Sequence, residues 1–223
     1  MTRLPPTSYY YAHMGRELAS AVAARFYAVN GRHPMTPEDD AYVSEWFVPV
    51  EELASAASLD VDEIRRLQLA NRLPLPSYIR SDGAQMVSRD LLELAEEAGG
   101  FGNLPTWFAA QWASPLDAVR EWDAYLSGLY VCLRSWRPEN MRRKDELVML
   151  ITTRLEHPAP DDDDWRSELH RLIDELDELE PPFAPYDRLR FGGPVSRDRL
   201  ITATRERYPR PAGVTDADRE AAL

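Results

Sequence analysis

The chain has one cysteine, one lysine and no long apolar run, and each shortage removes a class of protein. A single thiol, Cys132, can form no internal disulfide and no all-cysteine metal site. It lies in LSGLYVCLRSW, an apolar stretch with helical spacing, which predicts a buried and inert thiol. No segment approaches the ~20 apolar residues of a membrane span. The opening MTRLPPTSYYYAH lacks a secretory apolar core, so the expectation is a cytoplasmic protein with no membrane partner. Of the four histidines (His13, His33, His157 and His170), none stands three or four residues from another, which removes the usual metal-binding helix motif. His157 beside Asp161 to Asp164 reads as a solvated linker, because four adjacent carboxylates cannot converge on one ion. There is no glycine-rich phosphate loop, dinucleotide fingerprint or Gly-x-Ser-x-Gly elbow, so no cofactor is expected. Positive charge is short as well: 26 basic residues face 38 acidic ones, for a net charge of -12. The one lysine, Lys144, falls in MRRKDELV and reads as an exposed residue near a helix start.

What remains is a chain of 223 residues, 44% of them apolar, enough to bury a hydrophobic core. The spacing predicts a helix over YAHMGRELASAVAARFYAVNG, closed at Asn30-Gly31. Thr36 and Pro37, with acids in the following turn, open another. VPVEELASAASLDVDEIRRLQLANRLP reads as helix, turn at Ser58-Leu59, and a second helix capped by Asp60. In SYIRSDGAQMV, Asp82-Gly83 between two extended runs predicts a tight hairpin. Helix, turn, helix and hairpin make a winged helix-turn-helix. Ser88 is expected to cap the next helix, which stops at Gly99-Gly100. Helices then dominate: a long one from Ser114 to Trp136, another opened by Pro138, and an acidic amphipathic one in WRSELHRLIDELDELE. PPFAPYDRLRFGGP reads as a proline-rich loop or arm, followed by a helix over SRDRLITATRERY. The expected fold class is therefore mainly α: a winged helix-turn-helix-like N-terminal part with one β-hairpin, then a helical domain. The boundaries are residues 1–35 for the N-terminal helix, 36–100 for the winged part, 101–208 for the helical domain and 209–223 for a flexible tail. The winged part and the helical domain are expected to share one core. The long first helix and the aromatic, proline-rich arm suggest a homodimer.

A helix-turn-helix invites a DNA-binding reading, but the charges oppose it. Residues 48–72 carry Glu51, Glu52, Asp60, Asp62 and Glu63 against Arg65, Arg66 and Arg72. Nothing nearby neutralises several phosphates, so charge alone argues against nucleic acid as a partner. Four of the six tryptophans fall between Trp107 and Trp136. Most are core candidates, yet Trp107 and Phe108 sit at a loop-to-helix junction after the glycine break, where they could wall a cavity.

RLPLPSY, the SDGAQMV hairpin, LPTWF and DAYLSGLYVCLRSWRPENMRRKDELV together resemble a family of actinobacterial natural-product biosynthesis proteins, over about Ala41 to Pro209. More loosely, the first part is similar to bacterial Pictet–Spenglerases, which form β-carbolines from tryptophan-like amines and aldehydes. That resemblance implies a homodimeric enzyme without cofactor, a carboxylate base and an arginine that holds the amino acid. Arg72, where the second helix meets the hairpin, could grip a substrate carboxylate with its planar fork; the plain alternative is a helix C-terminal cation. Glu93, Glu96 and Glu97 lie on the helix after the hairpin, and one of them held against apolar surface would have a raised pKa and act as the base. Glu97 is preferred because it lies nearest the glycine break, the alternative being that all three are solvated. Tyr78 could orient a carbonyl oxygen, or could pack across the strands. The expected function is cofactor-independent, ring-forming condensation of an aromatic amine or amino acid with an aldehyde. The alternatives are a winged-helix regulator and a non-catalytic partner protein of a biosynthetic complex.

Overall fold

The computed structural model describes residues 7–210, with side chains from residue 15 onward, so nearly all of the predicted tail lies outside the described residues. Helix α1 (Thr7–Asn30) ends at Gly31, whose φ of +76° suits glycine. Helix α2 (Pro37–Trp46) starts as the sequence predicts: the Thr36 hydroxyl accepts from the Asp39 amide, and the Asp39 carboxylate accepts from the Thr36 amide at 2.9 Å. Strand β1 (Phe47–Pro49), helix α3 (Val50–Ala56) and helix α4 (Val61–Leu69) follow. The Asp60 carboxylate accepts from the Asp62 amide at 2.8 Å, which caps α4.

Strands β2 (Tyr78–Ile79) and β3 (Gln85–Ser88) form the predicted hairpin, with Tyr78 opposite Met86. Asp82 accepts from the Ala84 amide at 3.0 Å, and Gly83 takes φ +87°. The sheet has a third strand that the local pattern does not signal, for β1 pairs antiparallel with β3 in the order β1-β3-β2. The sequence pattern carries the Thr36 helix on through Phe47 and Val48, but the helix stops at Trp46; Pro49 lacks an N–H and holds an extended backbone, which suits an edge strand. The protein is therefore mainly α with a small antiparallel sheet.

Two helix expectations need correction. Ser88 ends β3 and does not cap helix α5 (Leu91–Glu97); its hydroxyl donates to Asp90. Asp90 is instead a tether, since its carboxylate accepts from the Ser135 hydroxyl at 2.8 Å and the Trp136 amide at 2.6 Å. After a 3-10 turn (Phe101–Asn103) come α6 (Leu104–Ala110) and α7 (Pro115–Leu126). Helix α7 is half the predicted length. Gly128 at φ +76° ends it, and the chain passes through a 3-10 turn (Leu129–Cys132) into extended backbone at Leu133. A Cβ on Gly128 would lie 3.2 Å from the Arg190 guanidinium, so glycine there permits a close approach. Cys132 accordingly lies in the turn, half-buried, and not in a helix.

Helix α8 (Pro138–Glu156) and helix α9 (Asp163–Leu179) pack against each other. Part of the aspartate run acts as a helix cap, because Asp162 accepts from the Asp164 and Trp165 amides and starts α9. Lys144 is buried, contrary to expectation, and its ammonium meets the fully buried Glu180 carboxylate at 2.7 Å. The predicted proline-rich loop contains helix α10 (Pro185–Arg190), where Tyr186 and Asp187 are buried. A π-helical turn (Arg197–Thr202) and α11 (Ala203–Arg207) complete the described chain.

The buried apolar residues form two clusters and not one. The first runs from Val43 through the winged part to Met141 and takes in Ala184 and Tyr186. The second joins Leu147 and Ile151 of α8 to Leu169, Ile173 and Leu176 of α9, with Ile201 and Tyr208. The division thus falls inside α8, and the first core continues straight across Gly100.

Candidate functional site

Between the α3–α4 turn and the end of α5 lies an open groove of about 560 Å³. Its floor is made of small residues, Ala56, Ala57 and Ala95, and its far wall is the Gly99-to-Gly102 break with Phe101. The sequence explains the shape. Gly99 (φ +75°) and Gly100 (φ +120°) let the chain leave α5 abruptly, where larger residues would be strained. Alanines at the facing helix ends leave room in place of packed side chains. Among the described residues, the charged ones that line the groove are Glu63 and Glu96, and no basic side chain lines it. A volume of this size suits a small organic molecule. A second apolar groove of about 450 Å³, lined by Pro105, Trp112 and Trp122 among others, has no charged residue among the described ones that line it, and so none there to move a proton.

The three candidate glutamates separate cleanly. Glu96 lines the groove. Glu93 and Glu97, four residues apart, both turn to Arg137, at 2.9 and 2.7 Å. The Arg137 hydrogen bond holds the Glu97 carboxyl below the usual range, opposite to the raised value expected for a base. Arg72 stands beside the groove, and its guanidinium donates to the Gly102 carbonyl, pinning the glycine break to the end of α4.

The other candidates lie elsewhere. Tyr78 is wholly buried under the wing, where its hydroxyl donates to Asp187 at 2.7 Å. Burial and the neighbouring Asp187 charge push the Tyr78 pKa well up. Phe108 is core, packed on Trp112, Trp122 and Tyr125, and Trp107 packs partly buried against the same cluster. The aromatic that does line the groove is Phe101, three residues before the predicted helix. The sequence signal for it is the glycine run around it, which reads as a break and not as a wall.

Helix α1 bears on the winged part too. It runs along α4 in the same direction: Gly15 lies against Asp62, and Arg25 donates to the Leu69 carbonyl at 2.8 Å. Gln85 of β3 donates to the Ala19 carbonyl at 2.7 Å. Arg65, which a DNA-reading helix would present outward, is buried between Glu51 (2.5 Å) and Asp62 (3.4 Å). The wing is tied down as well, with Arg80 on Ser44 (3.1 Å) and Asp40 accepting from the Ser81 amide (3.0 Å).

Among the described residues, no group of three or more His, Cys, Asp or Glu side chains is placed to hold a metal ion. No helix there is long and apolar enough to cross a membrane. No curated protein and no solved structure matches the chain. Residues 104–209 are similar to a family of unknown function, DUF6058, a stretch that begins at α6 and leaves the groove-lining residues outside it.

Proposed function

We propose that the groove between the α3–α4 turn and α5 is the active site of a cofactor-independent enzyme of natural-product biosynthesis. Its reaction is a Pictet–Spengler-type condensation of a tryptophan-like aromatic amine with an aldehyde. The supporting observation is the apolar groove with the Glu96 carboxylate on its edge. In this reaction the amine and aldehyde lose water to give an iminium ion. An aromatic carbon attacks the iminium carbon, and a base then takes the proton from the ring carbon that was attacked. The apolar floor would hold the flat ring, and Glu96 would accept that proton. Glu97 is the poorer acceptor, because its bond to Arg137 stabilises the ionised form.

The regulator alternative draws less support, since α1 packs along α4, Arg65 is buried against Glu51, and Arg72 donates to the Gly102 carbonyl. The deciding experiment is turnover with an indole amine and a panel of small aldehydes, followed by mass spectrometry. Glu96→Gln should lower the rate by ~10²–10⁴-fold, the range for a missing general base, while Glu97→Gln stays close to the parent. Product no faster than in buffer for the parent protein would end the proposal. A Glu97→Gln loss with Glu96→Gln active would return the base to Glu97.

A further inference from the structure

We infer that the groove selects an apolar aromatic ammonium ion that carries no carboxylate, a decarboxylated amine and not an amino acid. The inference rests on the groove being a small-molecule site, and it concerns what that site admits. Each side of the groove contributes one carboxylate, Glu63 from α4 and Glu96 from α5. Neither has a hydrogen-bond or ion-pair partner among the described residues, whereas Glu93 and Glu97 on the same helix α5 are both taken by Arg137. Glu63 stands in the first turn of α4. The remaining described lining is alanine, leucine, glycine and Phe101, so two negative charges face an apolar surface with no positive charge among the described residues that line it.

Arg72, the arginine beside the glycine wall, is occupied. Its guanidinium donates to the Gly102 carbonyl, and Gly102 itself forms part of the wall. A substrate carboxylate in the groove would meet Glu63 and Glu96 with no counter-charge, and like charges brought together cost affinity. A ligand ammonium gains what the carboxylate loses. Its ring would lie on the alanine floor and against Phe101.

The test is calorimetric titration of the full chain with three indoles whose side chains at one ring position are cationic, zwitterionic and neutral: tryptamine, tryptophan and 3-methylindole. Tryptamine should bind tightest, about tenfold tighter than tryptophan, in keeping with two partly exposed ion pairs. Glu63→Gln and Glu96→Gln should each weaken tryptamine by up to about fivefold and leave 3-methylindole unchanged. Raising the salt should weaken tryptamine and spare 3-methylindole. If 3-methylindole binds while tryptophan equals or exceeds tryptamine, the groove stands as a site and the selectivity is wrong. Loss of that tryptophan binding in Arg72→Ala would then identify Arg72 as a carboxylate clamp. If none of the three binds, the selectivity and the site fall together.

Discussion

Several polar residues are buried here, and two of them make the sharpest stability predictions. Asp187 lies under the wing, bonded to the Tyr78 hydroxyl and to the Ala184 amide at 2.9 Å. Burial nevertheless wins over these bonds and pushes its pKa up to about 6. A carboxyl whose pKa is higher folded than unfolded holds more protons in the native state between those two values. Its contribution to stability is therefore full below about pH 4 and is lost as pH rises from there through about 6. The size is on the order of 3 kcal/mol. Asp187→Asn keeps an acceptor for Tyr78 and removes the titration. In urea unfolding between pH 4 and pH 7, the parent should lose stability relative to this variant as pH rises. Parallel pH profiles would contradict the assignment. Lys144 presents the other case. Burial pulls its pKa down, but Cys132 and the Glu180 carboxylate outweigh that and leave it above the usual lysine value. Lys144→Met strands a buried carboxylate and should cost about 3–5 kcal/mol. Lys144→Met with Glu180→Leu removes both charges and should recover most of the loss in the same urea measurement.

Elements were legible in the sequence where their signals are local. Thr36 with Asp39, Asp60 with Asp62, and the Asp82-Gly83 turn all act within three residues of themselves, and each is where the sequence puts it. The missed features depend on distant partners. Strand β1 exists because β3 lies beside it, about forty residues on. The end of α7 at Gly128 meets a distant partner, for the Arg190 guanidinium, far along the chain, donates to the Gly128 carbonyl at 2.9 Å. Lys144 reads as exposed because its partner Glu180 belongs to another element. The groove shows the same split. Its glycines and its three candidate glutamates could be read from the sequence. Helix spacing puts Glu93 and Glu97 on one face of α5 and Glu96 on another, but which face meets the groove depends on the packing of distant elements.

Over the whole molecule, the decisive fact is that two apolar clusters share one helix. Met141 of α8 belongs to the first cluster, and Leu147 and Ile151 to the second. Neither cluster can lose its packing without exposing part of α8, so the two should melt as one unit. Trp136 lies in the first cluster and Trp165 in the second. Variants that keep only Trp136 or only Trp165 of the six tryptophans should give the same urea midpoint, matching far-ultraviolet circular dichroism. Separate midpoints would show the clusters to be independent. The shared helix also has a mechanical side. Arg137, at the head of α8, grips Glu93 and Glu97 on α5, the helix that walls the groove. From there α8 extends 19 residues, about 28 Å at 1.5 Å per residue, into the second cluster. It is a lever with a short clamp and a long arm. A tilt of about 10° at the Arg137 clamp would carry Glu156, at the far end, about 5 Å.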